Sequence, residues 1–357
     1  MDVAIIGAGA AGAAAAYALR EAPADVTVFE KSRGVCGRAA TRRKNGCRYD
    51  HGANYVKSDD ERIARLLTEE LDADGLVDVA EPVYAFDADG EIREGRDDDA
   101  RKWSYEAGIT QVAKRLFART DATVRLETRV DECSRAGDGW RLTAGGATLG
   151  DGGGDDFDAV VLTPPAPQTA DLLGGADPDD RRAALREAVA GVDYRSVVTA
   201  VLHYPFELDY PWYALVNPDK DHEVGWLSRE ELKPGHVPDG ESLLIAQMGQ
   251  SWSAARIDDD PAALAEAAVE HVTGLLEDPR LADPDWTDHQ RWRYALPAGN
   301  GESEGAGLAA DGSVRERCER AGLYVAGDWV VGEGRVHAAL HSGLDVGGRI
   351  AGTAAEE

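Results

Sequence analysis

The chain has 357 residues, 43% of them hydrophobic, with 66 acidic against 38 basic side chains and a net charge of −28. That length predicts two domains, the acidity disfavours direct nucleic-acid binding, and the lack of a membrane-length apolar run or a signal peptide predicts a cytoplasmic protein. Lysine stands only at Lys31, Lys44, Lys57, Lys102, Lys114, Lys220 and Lys233, and acid runs such as Arg96-Asp97-Asp98-Asp99 and Asp258-Asp259-Asp260 punctuate the chain. Two readings stay open, a protein adapted to a salt-rich cytoplasm, where screening removes self-repulsion, or simply an acidic soluble one; sparse lysine favours the first.

The first element is the most informative. An apolar strand, Val3 to Ile6, runs into GAGAAG at Gly7 to Gly12, then an alanine-rich helix to Leu19 and a second strand, Val26 to Phe29, closed by Glu30. This is the dinucleotide-binding fingerprint in its full context. Gly7 permits the tight turn, Gly9 lets a pyrophosphate approach the backbone, and Gly12 lets the helix pack on the sheet. The N–H groups of Ala10, Ala11 and Gly12 open the helix toward an anion, and Glu30 is placed to bind ribose hydroxyls.

Next comes KSRGVCGRAATRRKNGCRYDHGANYV, Lys31 to Val56. Lys31, Arg33 and Arg38 concentrate positive charge beside the ribose-binding acid, as phosphates require, while Arg42 and Arg43 read more readily as partners of surface acids. Gly34 and Gly37 let the loop turn and bring N–H groups to an anion.

Ser58 to Leu71 has helical periodicity at Ile63, Leu66, Leu67 and Leu71, with Asp59 and Asp60 at its start. Val83 to Phe86 and Glu91 to Arg93 read as a hairpin, and Gly108 to Leu116 as a helix. Thr123 to Val130 and Trp140 to Thr143 read as strands of a small antiparallel meander, and Ala144 to Asp156 as a loop. Phe157 to Leu162 is a buried strand stopped by Pro164 and Pro165. From Gln168 to Asp288 a helix (Asp179 to Val189), strands at Ser196 to Leu202, Glu223 to Leu227 and Ser242 to Met248, and an amphipathic helix (Pro261 to Leu276) predict an α+β unit on an antiparallel sheet. Trp212, Tyr213, Trp226 and Trp252 collect there, and Trp252, within GQSWS, is the best candidate for a pocket wall. Leu323 to Ala326 is a closing strand, followed by Gly327, Asp328 and, after Gly332 and Gly334, a helix from Val336 to Ile350.

Cys36, Cys47, Cys133 and Cys318 lack CxxC spacing, so reduced thiols are expected; no spacing of His, Cys or acids suggests a metal, and no nucleophile elbow is visible. The chemistry is expected to belong to a cofactor.

GAGAAG, KSRGVCGRAATR, DHGANY (Asp50 to Tyr55), TPPAPQTADLL (Thr163 to Leu173), RWRYALPAG (Arg291 to Gly299) and AGDWVVGEGRVHAALHSG (Ala326 to Gly343) together resemble the two-dinucleotide-binding-domain flavoproteins of the amine oxidase superfamily, and within it the renalase-like proteins. The resemblance runs almost end to end. It implies an α/β fold: a discontinuous Rossmann-type FAD-binding domain (residues 1–80, 104–167 and 289–357) with an inserted α+β substrate domain (81–103 and 168–288). FAD would be noncovalent, since Ala326 to Gly343 contains no cysteine.

The resemblance extends the cofactor contacts from Gly7, Gly9, Ala10, Ala11, Gly12, Glu30, Lys31, Arg33, Gly37 and Arg38 to Asn54, to the main chain of Val130 at the adenine edge, and to Gly327 and Asp328 at the ribityl and pyrophosphate region. Arg335 and Val336 would open a helix whose dipole faces the pyrimidine end of the flavin. Pocket candidates are Tyr55, Trp252, Trp292 and His337. Glycine is common in the family where Cys36 stands, and glutamine where Asn54 stands.

The implied substrate is a small molecule, and the implied reaction is oxidation of isomeric dihydronicotinamide dinucleotides by hydride transfer to flavin N5, with oxygen as acceptor. Such a donor needs no acid or base, because its product ring is aromatic. Amine oxidation is the first rival, weakened because classical amine oxidases use a late lysine and none follows Lys233. A flavin-binding protein without turnover is the second.

Overall fold

The computed structural model describes residues 1–57, 60–95, 101–150, 156–175, 179–298 and 312–355. Its first layer is a five-stranded parallel sheet in the order Thr123–Arg125, Asp25–Phe29, Asp2–Ile6, Ala159–Leu162, Leu323–Val325. The central strands are apolar on both faces because both are covered: Val3, Ile5 and Val161 pack with Ala11, Ala15, Val346 and Ile350 of two helices, and Ala4, Ile6 and Val160 with Cys133, Trp140 and Leu142 of a small antiparallel sheet and with further helices. At the end of the first strand Gly7 has φ +101°, and a Cβ there would lie 2.4 Å from Thr163 Oγ1. The Thr163 hydroxyl donates to the Ile6 carbonyl at 2.8 Å, fastening that turn to the next strand.

The alanines of helix Ala10–Ala18 have a packing reason. The C-terminal helix, Val336–Ala354, lies so close that a Cβ on Gly343 would sit 2.1 Å from the Ala11 carbonyl oxygen, and one on Gly347 2.5 Å from that of Ala15. Small residues on both helices permit that approach, which brings the two helix starts to the same end of the sheet.

The second layer is a seven-stranded sheet, ordered Trp286–Pro297, Tyr194–Tyr204, Ser242–Met248, Val224–Arg229, Ala214–Val216, Val83–Phe86, Ile92–Arg93. Its pairing is antiparallel except between Ala214–Val216 and Val83–Phe86. The two-residue period of a strand divides its faces. Leu244, Ala246 and Met248 pack with Leu264, Ala268 and Val272 of helix Pro261–Leu276, whereas Leu243 and Ile245 pack with Cys47 and Tyr49 of the hairpin Thr41–Lys44/Cys47–Asp50. An α/β nucleotide-binding unit carrying a sheet rich in antiparallel pairs matches the expected fold class.

Several local expectations need correction. The strand beginning at Thr123 stops at Arg125 and belongs to the parallel sheet, because the chain turns at Leu126-Glu127, where Glu127 has φ +51°. The meander is instead Glu132–Ala136, Gly139–Ala144, Ala147–Leu149 and Asp156–Phe157. Ala147–Leu149 lies in the stretch expected as loop: Gly145 and Gly146, at φ +56° and +80°, form a tight hairpin turn. Residues 151–155 of that stretch, like Ser58 and Asp59, lie outside the described residues. The helix expected to Leu71 is capped by the Asp60 carboxylate, runs Glu61–Arg65, and widens over Leu66–Glu70 into a π turn that keeps both Leu66 and Leu67 buried. Among the described residues no helix is long and apolar enough to cross a membrane.

Two glycines of the last helix separate packing from propensity. Gly343→Ala should destabilise the protein by about 1–3 kcal/mol through overpacking, whereas Gly348→Ala, with open space around its Cβ position, should stabilise it by up to about 1 kcal/mol. Urea unfolding of the two variants beside the parent checks both signs.

Candidate active site

The crevice at the C-terminal end of the parallel sheet collects most of the residues singled out in the sequence. A Cβ on Gly9 would meet nothing within 4 Å, while one on Gly12 would strike the Gly7 carbonyl oxygen at 2.0 Å. One glycine therefore faces open space and the other faces protein. Ala10 and Ala11 are buried, and the helix they open has no side-chain cap, so its first N–H groups are not taken by a capping side chain.

Glu30 is buried at the end of its strand and accepts from the N–H groups of Ala8 and Ser32 at 2.9 and 2.8 Å. Its carboxylate thus braces the glycine loop. Lys31 and Arg33 are exposed, with Lys31 Nζ 3.2 Å from Gln168 Oε1. Cys36 and Gly37 lie against the loop: the Cys36 N–H donates to the Ala8 carbonyl at 2.8 Å, and a Cβ on Gly37 would lie 3.4 Å from Gly9 Cα. Cys36 has φ +80°, a conformation that suits glycine, the residue expected in relatives. Burial pushes its thiol up to about 12, which leaves it unreactive. Val130 is buried beyond the turn at Glu127.

Arg38, expected to meet a phosphate, has partners within the protein. Its guanidinium pairs with Asp328 at 2.7 Å and donates to the Ala295 carbonyl at 2.8 Å. Burial alone would lower its pKa, but the Asp328 charge and hydrogen bond outweigh that and raise it. The side chain ties three segments together at the crevice. Arg42 pairs with Asp288 at 2.6 Å, an acid partner of the kind expected. Gly327, at φ +153°, precedes Asp328, and its N–H donates to the Ser342 hydroxyl oxygen at 3.0 Å. Arg335 is exposed at the uncapped start of the last helix, followed by Val336.

The segment after Asp50 meets the facing side of the seven-stranded sheet. The Gly52 carbonyl accepts from Gln247 Nε2 at 2.6 Å and Asn54 Nδ2 at 2.9 Å. Asn54 Oδ1 accepts from the Ser228 hydroxyl at 2.7 Å and Trp226 Nε1 at 3.1 Å, so its amide joins the two layers. Trp292 Nε1 donates to the His51 carbonyl at 3.0 Å, and Tyr55 lies 6.1 Å from Trp226 and 6.4 Å from Tyr213 between ring centroids. Trp226, passed over in the sequence for Trp252, is on this face, as is Trp292.

Trp252 requires a correction. It sits in helix Gln250–Arg256, under the Arg256 guanidinium at 4.7 Å, and packs on the core of the opposite sheet face. His337 also stands apart, 3.4 Å from Glu333, where it lines a cavity of about 450 Å³ with Asp60, Arg62, Val331 and His341.

One buried group was missed altogether. Lys233 Nζ lies 2.9 Å from Asp50 Oδ2 and 3.1 Å from Glu230 Oε1, and His236 Nδ1 lies 2.8 Å from the same Glu230 oxygen. All four side chains are buried. Burial opposes the ammonium, yet the charges of Asp50 and then Glu230 raise its pKa; Asp50 is held below its usual range despite burial, chiefly by Lys233. The spacing Glu230, Lys233, His236 was the available signal, but a charge run reads as surface until Asp50 is known to face it. The carboxylates and imidazole are close enough to hold a metal ion, which no spacing had suggested, but the Lys233 ammonium already supplies the positive charge.

Residues 5–69 match an NAD(P)-binding Rossmann-like domain, and residues 92–351, more than half of the chain, match flavin containing amine oxidoreductase. The chain belongs to the flavin containing amine oxidoreductase family. It is accordingly an FAD-dependent oxidoreductase. A 65-residue stretch is 40% identical to protoporphyrinogen oxidase 2, chloroplastic/mitochondrial, of Arabidopsis thaliana; it spans 18% of this chain and only 13% of that protein. Over 100% of this chain and 99% of theirs, the fold resembles an assigned protoporphyrinogen oxidase of Exiguobacterium sp. 255-15 (TM-score 0.78, 15% identity) and cyclohexylamine oxidase of Brevibacterium oxydans IH-35A (0.74, 17%). It also resembles a fatty acid isomerase of P. acnes (TM-score 0.67, 16% identity, 97% of this chain and 98% of that one). At such identities the likeness speaks for the fold alone.

Two variants probe the buried charges. Burial first, and then the Arg42 charge, lower the His51 pKa from 6.5 to about 4. Below about 6.5 the unfolded chain binds a proton that the folded ring does not, so stability should fall as pH drops from about 6.5 toward 4. His51→Gln should remove up to about 3 kcal/mol of that loss, measured as the difference between the two proteins' denaturation curves across the range. Lys233→Met leaves two buried carboxylates facing each other and should cost about 3–5 kcal/mol; a variant as stable as the parent in the same assay would show that the ammonium is dispensable.

Proposed function

We propose that this FAD-dependent oxidoreductase is a renalase-like oxidase that oxidises isomeric dihydronicotinamide dinucleotides. The observation that carries the choice is the state of Lys233, the last lysine of the chain, whose ammonium is held by Asp50 and Glu230 inside the protein. A lysine locked in that way is not available to assist removal of a proton from an amine. Where the segment after Asp50 meets the sheet, the side chains gathered are His51, Asn54, Tyr55, Trp226, Gln247 and Trp292, and lowering of the His51 pKa keeps its ring neutral at pH 7. A dihydropyridine suits such a wall: it needs alignment and exclusion of water, and its oxidised ring gains aromaticity without a base.

FAD fits the crevice on features of the chain itself. Gly9 leaves open space where the pyrophosphate would approach, and the N–H groups of Ala10, Ala11 and Gly12 begin a helix without a side-chain cap. Glu30 would receive ribose hydroxyls with its remaining lone pairs, Val130 would face the adenine through its main chain, and Arg335 and Val336 would bring the last helix's positive end to the flavin. Lys31, Arg33 and Gly37 would line the phosphate side. Asn54, Gly327, Asp328 and Arg38 would shape the floor, with Arg38 acting through Asp328. When bound, FAD takes up the two electrons of the substrate and delivers them to an acceptor, oxygen in an oxidase.

Amine oxidation is a second reading, favoured by the aromatic group Tyr55, Tyr213 and Trp226. Such rings can receive a cationic or neutral amine. The structural likeness to cyclohexylamine oxidase is compatible with it.

The test mixes FAD-loaded protein anaerobically with nicotinamide dinucleotide reduced by borohydride to its isomer mixture, then with ordinary NADH and an amine panel. Bleaching of the oxidised-flavin band by isomers alone supports the proposal, bleaching by an amine transfers it to the second reading, and reduction by dithionite only would indicate a flavin-binding protein without turnover. Gly9→Val should purify colourless yet folded, because the added side chain fills the space open to the pyrophosphate. Glu30→Ala should weaken FAD retention more than folding; equal loss of both would make Glu30 a brace for Ala8 and nothing more.

A further inference from the structure

A second cluster of donors lies between the hairpin Thr41–Lys44/Cys47–Asp50 and the seven-stranded sheet, apart from the residues assigned to the cofactor. Cys47 opens the second hairpin strand, His203 stands near the end of Tyr194–Tyr204, and Glu241 directly precedes Ser242–Met248, which pairs with the His203 strand. The Cys47 Sγ, a His203 ring nitrogen and a Glu241 carboxylate oxygen all lie within 4.8 Å of one another. Cys47 and His203 are buried, whereas the Glu241 side chain is 34% exposed and gives a path to solvent.

We propose that Cys47, His203 and Glu241 form a divalent zinc site with the fourth position open to water. Sulfur, imidazole and carboxylate are the donor types zinc accepts, and its bond lengths put tetrahedral donors roughly 3.3–3.8 Å apart. His203 Nε2 and Glu241 Oε2 already face each other at 2.8 Å, so an ion entering between them would draw Cys47 Sγ in while the Glu241 side chain moves aside to admit it. Charge also closes: a thiolate and a carboxylate neutralise Zn²⁺ in a protein of net charge −28.

The histidine is already oriented for this use. His203 Nε2 faces Glu241 at 2.8 Å, while its other nitrogen, Nδ1, is buried without a hydrogen bond, 3.5 Å from Asp285 Oδ2, so a small approach by that carboxylate would let it steady a metal-bound imidazole. Trp286 stacks on the His203 ring at 4.9 Å and 10°, restricting its rotation. Asp285 is held in turn, its N–H donating to the His203 carbonyl at 2.9 Å. Zinc binds cysteine as the thiolate, so it would displace the Cys47 proton on binding. The Asp50, Glu230 and His236 group differs in this respect, since Lys233 already supplies its positive charge. A metal here would clamp the hairpin that leads to Asp50 against two strands of the larger sheet.

The experiment uses the FAD-loaded protein after dialysis against a chelator. Zinc competition with a chromophoric chelator should give one tight site per chain with release of about one proton, and Co²⁺ should show the near-ultraviolet charge-transfer band of a cobalt thiolate. Cys47→Ser should abolish that band. Glu241→Gln, at a half-exposed position that carries little folding risk, and Asp285→Asn should each weaken zinc about 10-fold or more, with the flavin spectrum unchanged in all three. No zinc binding by the parent, a cobalt spectrum without the thiolate band, or zinc affinity indifferent to Glu241→Gln and Cys47→Ser would each overturn the site.

Discussion

The contact on which the arrangement depends is that between the first and last helices. Ala10–Ala18 and Val336–Ala354 approach until glycines of one touch backbone carbonyls of the other, at Gly343 on Ala11 and Gly347 on Ala15. The first helix begins just after a parallel strand, through Gly7 and Gly9; the last follows the strand Leu323–Val325 by way of Gly327, a short helix Asp328–Val331 and Arg335. Locking the helices side by side therefore sets the separation of two helix starts at one sheet end. Two helix dipoles converging on one crevice favour an electron-rich occupant. The alanine content of the first helix is thus a requirement of the crevice as much as of helix propensity.

A second constraint joins the layers through charge. Asp50 belongs to the hairpin beside the crevice, whereas Glu230, Lys233 and His236 follow a strand of the larger sheet. Their pairing is dry, and Asp50 also accepts from the Thr41 and Ser104 hydroxyls and the Ile109 N–H. Buried ions separated from one another are costly, so the two layers hold one register or lose the whole network. Asp50 immediately precedes His51 and Gly52, so the network also sets where the Gly52 carbonyl meets Gln247 and Asn54.

How much of this was legible follows from the range of each interaction. The glycine loop, the Glu30 strand end and helix Pro261–Leu276 rest on local spacing, and the structure reproduces those elements closely. Thr123 to Val130 failed because its apolar pattern hides the turn at Glu127, and Trp252 failed because one residue's position in a helix start chooses between opposite sheet faces. The pairing of Arg38 with Asp328, 290 residues apart, was beyond sequence reasoning, though both were marked for the same crevice. Lys233 was noticed only as the last lysine; its meaning depended on Asp50, a partner 183 residues away.

The same long-range pairings explain why electron transfer is left to the cofactor. Arg38, Arg42 and Lys233 are each held by an acid, at Asp328, Asp288 and Asp50. His51, the histidine nearest the Gly52 turn, is kept neutral at pH 7 by burial and by Arg42. These charges are satisfied within the fold, and where the segment after Asp50 meets the larger sheet the groups brought together are backbone, amide and aromatic. Such a surface discriminates by shape and stacking, since an unpaired charge on a substrate would find little there to compensate its desolvation. On the proposed reading the protein's part would be to align a donor and exclude water, a task that neutral rings and fixed amides perform without gaining or losing a proton.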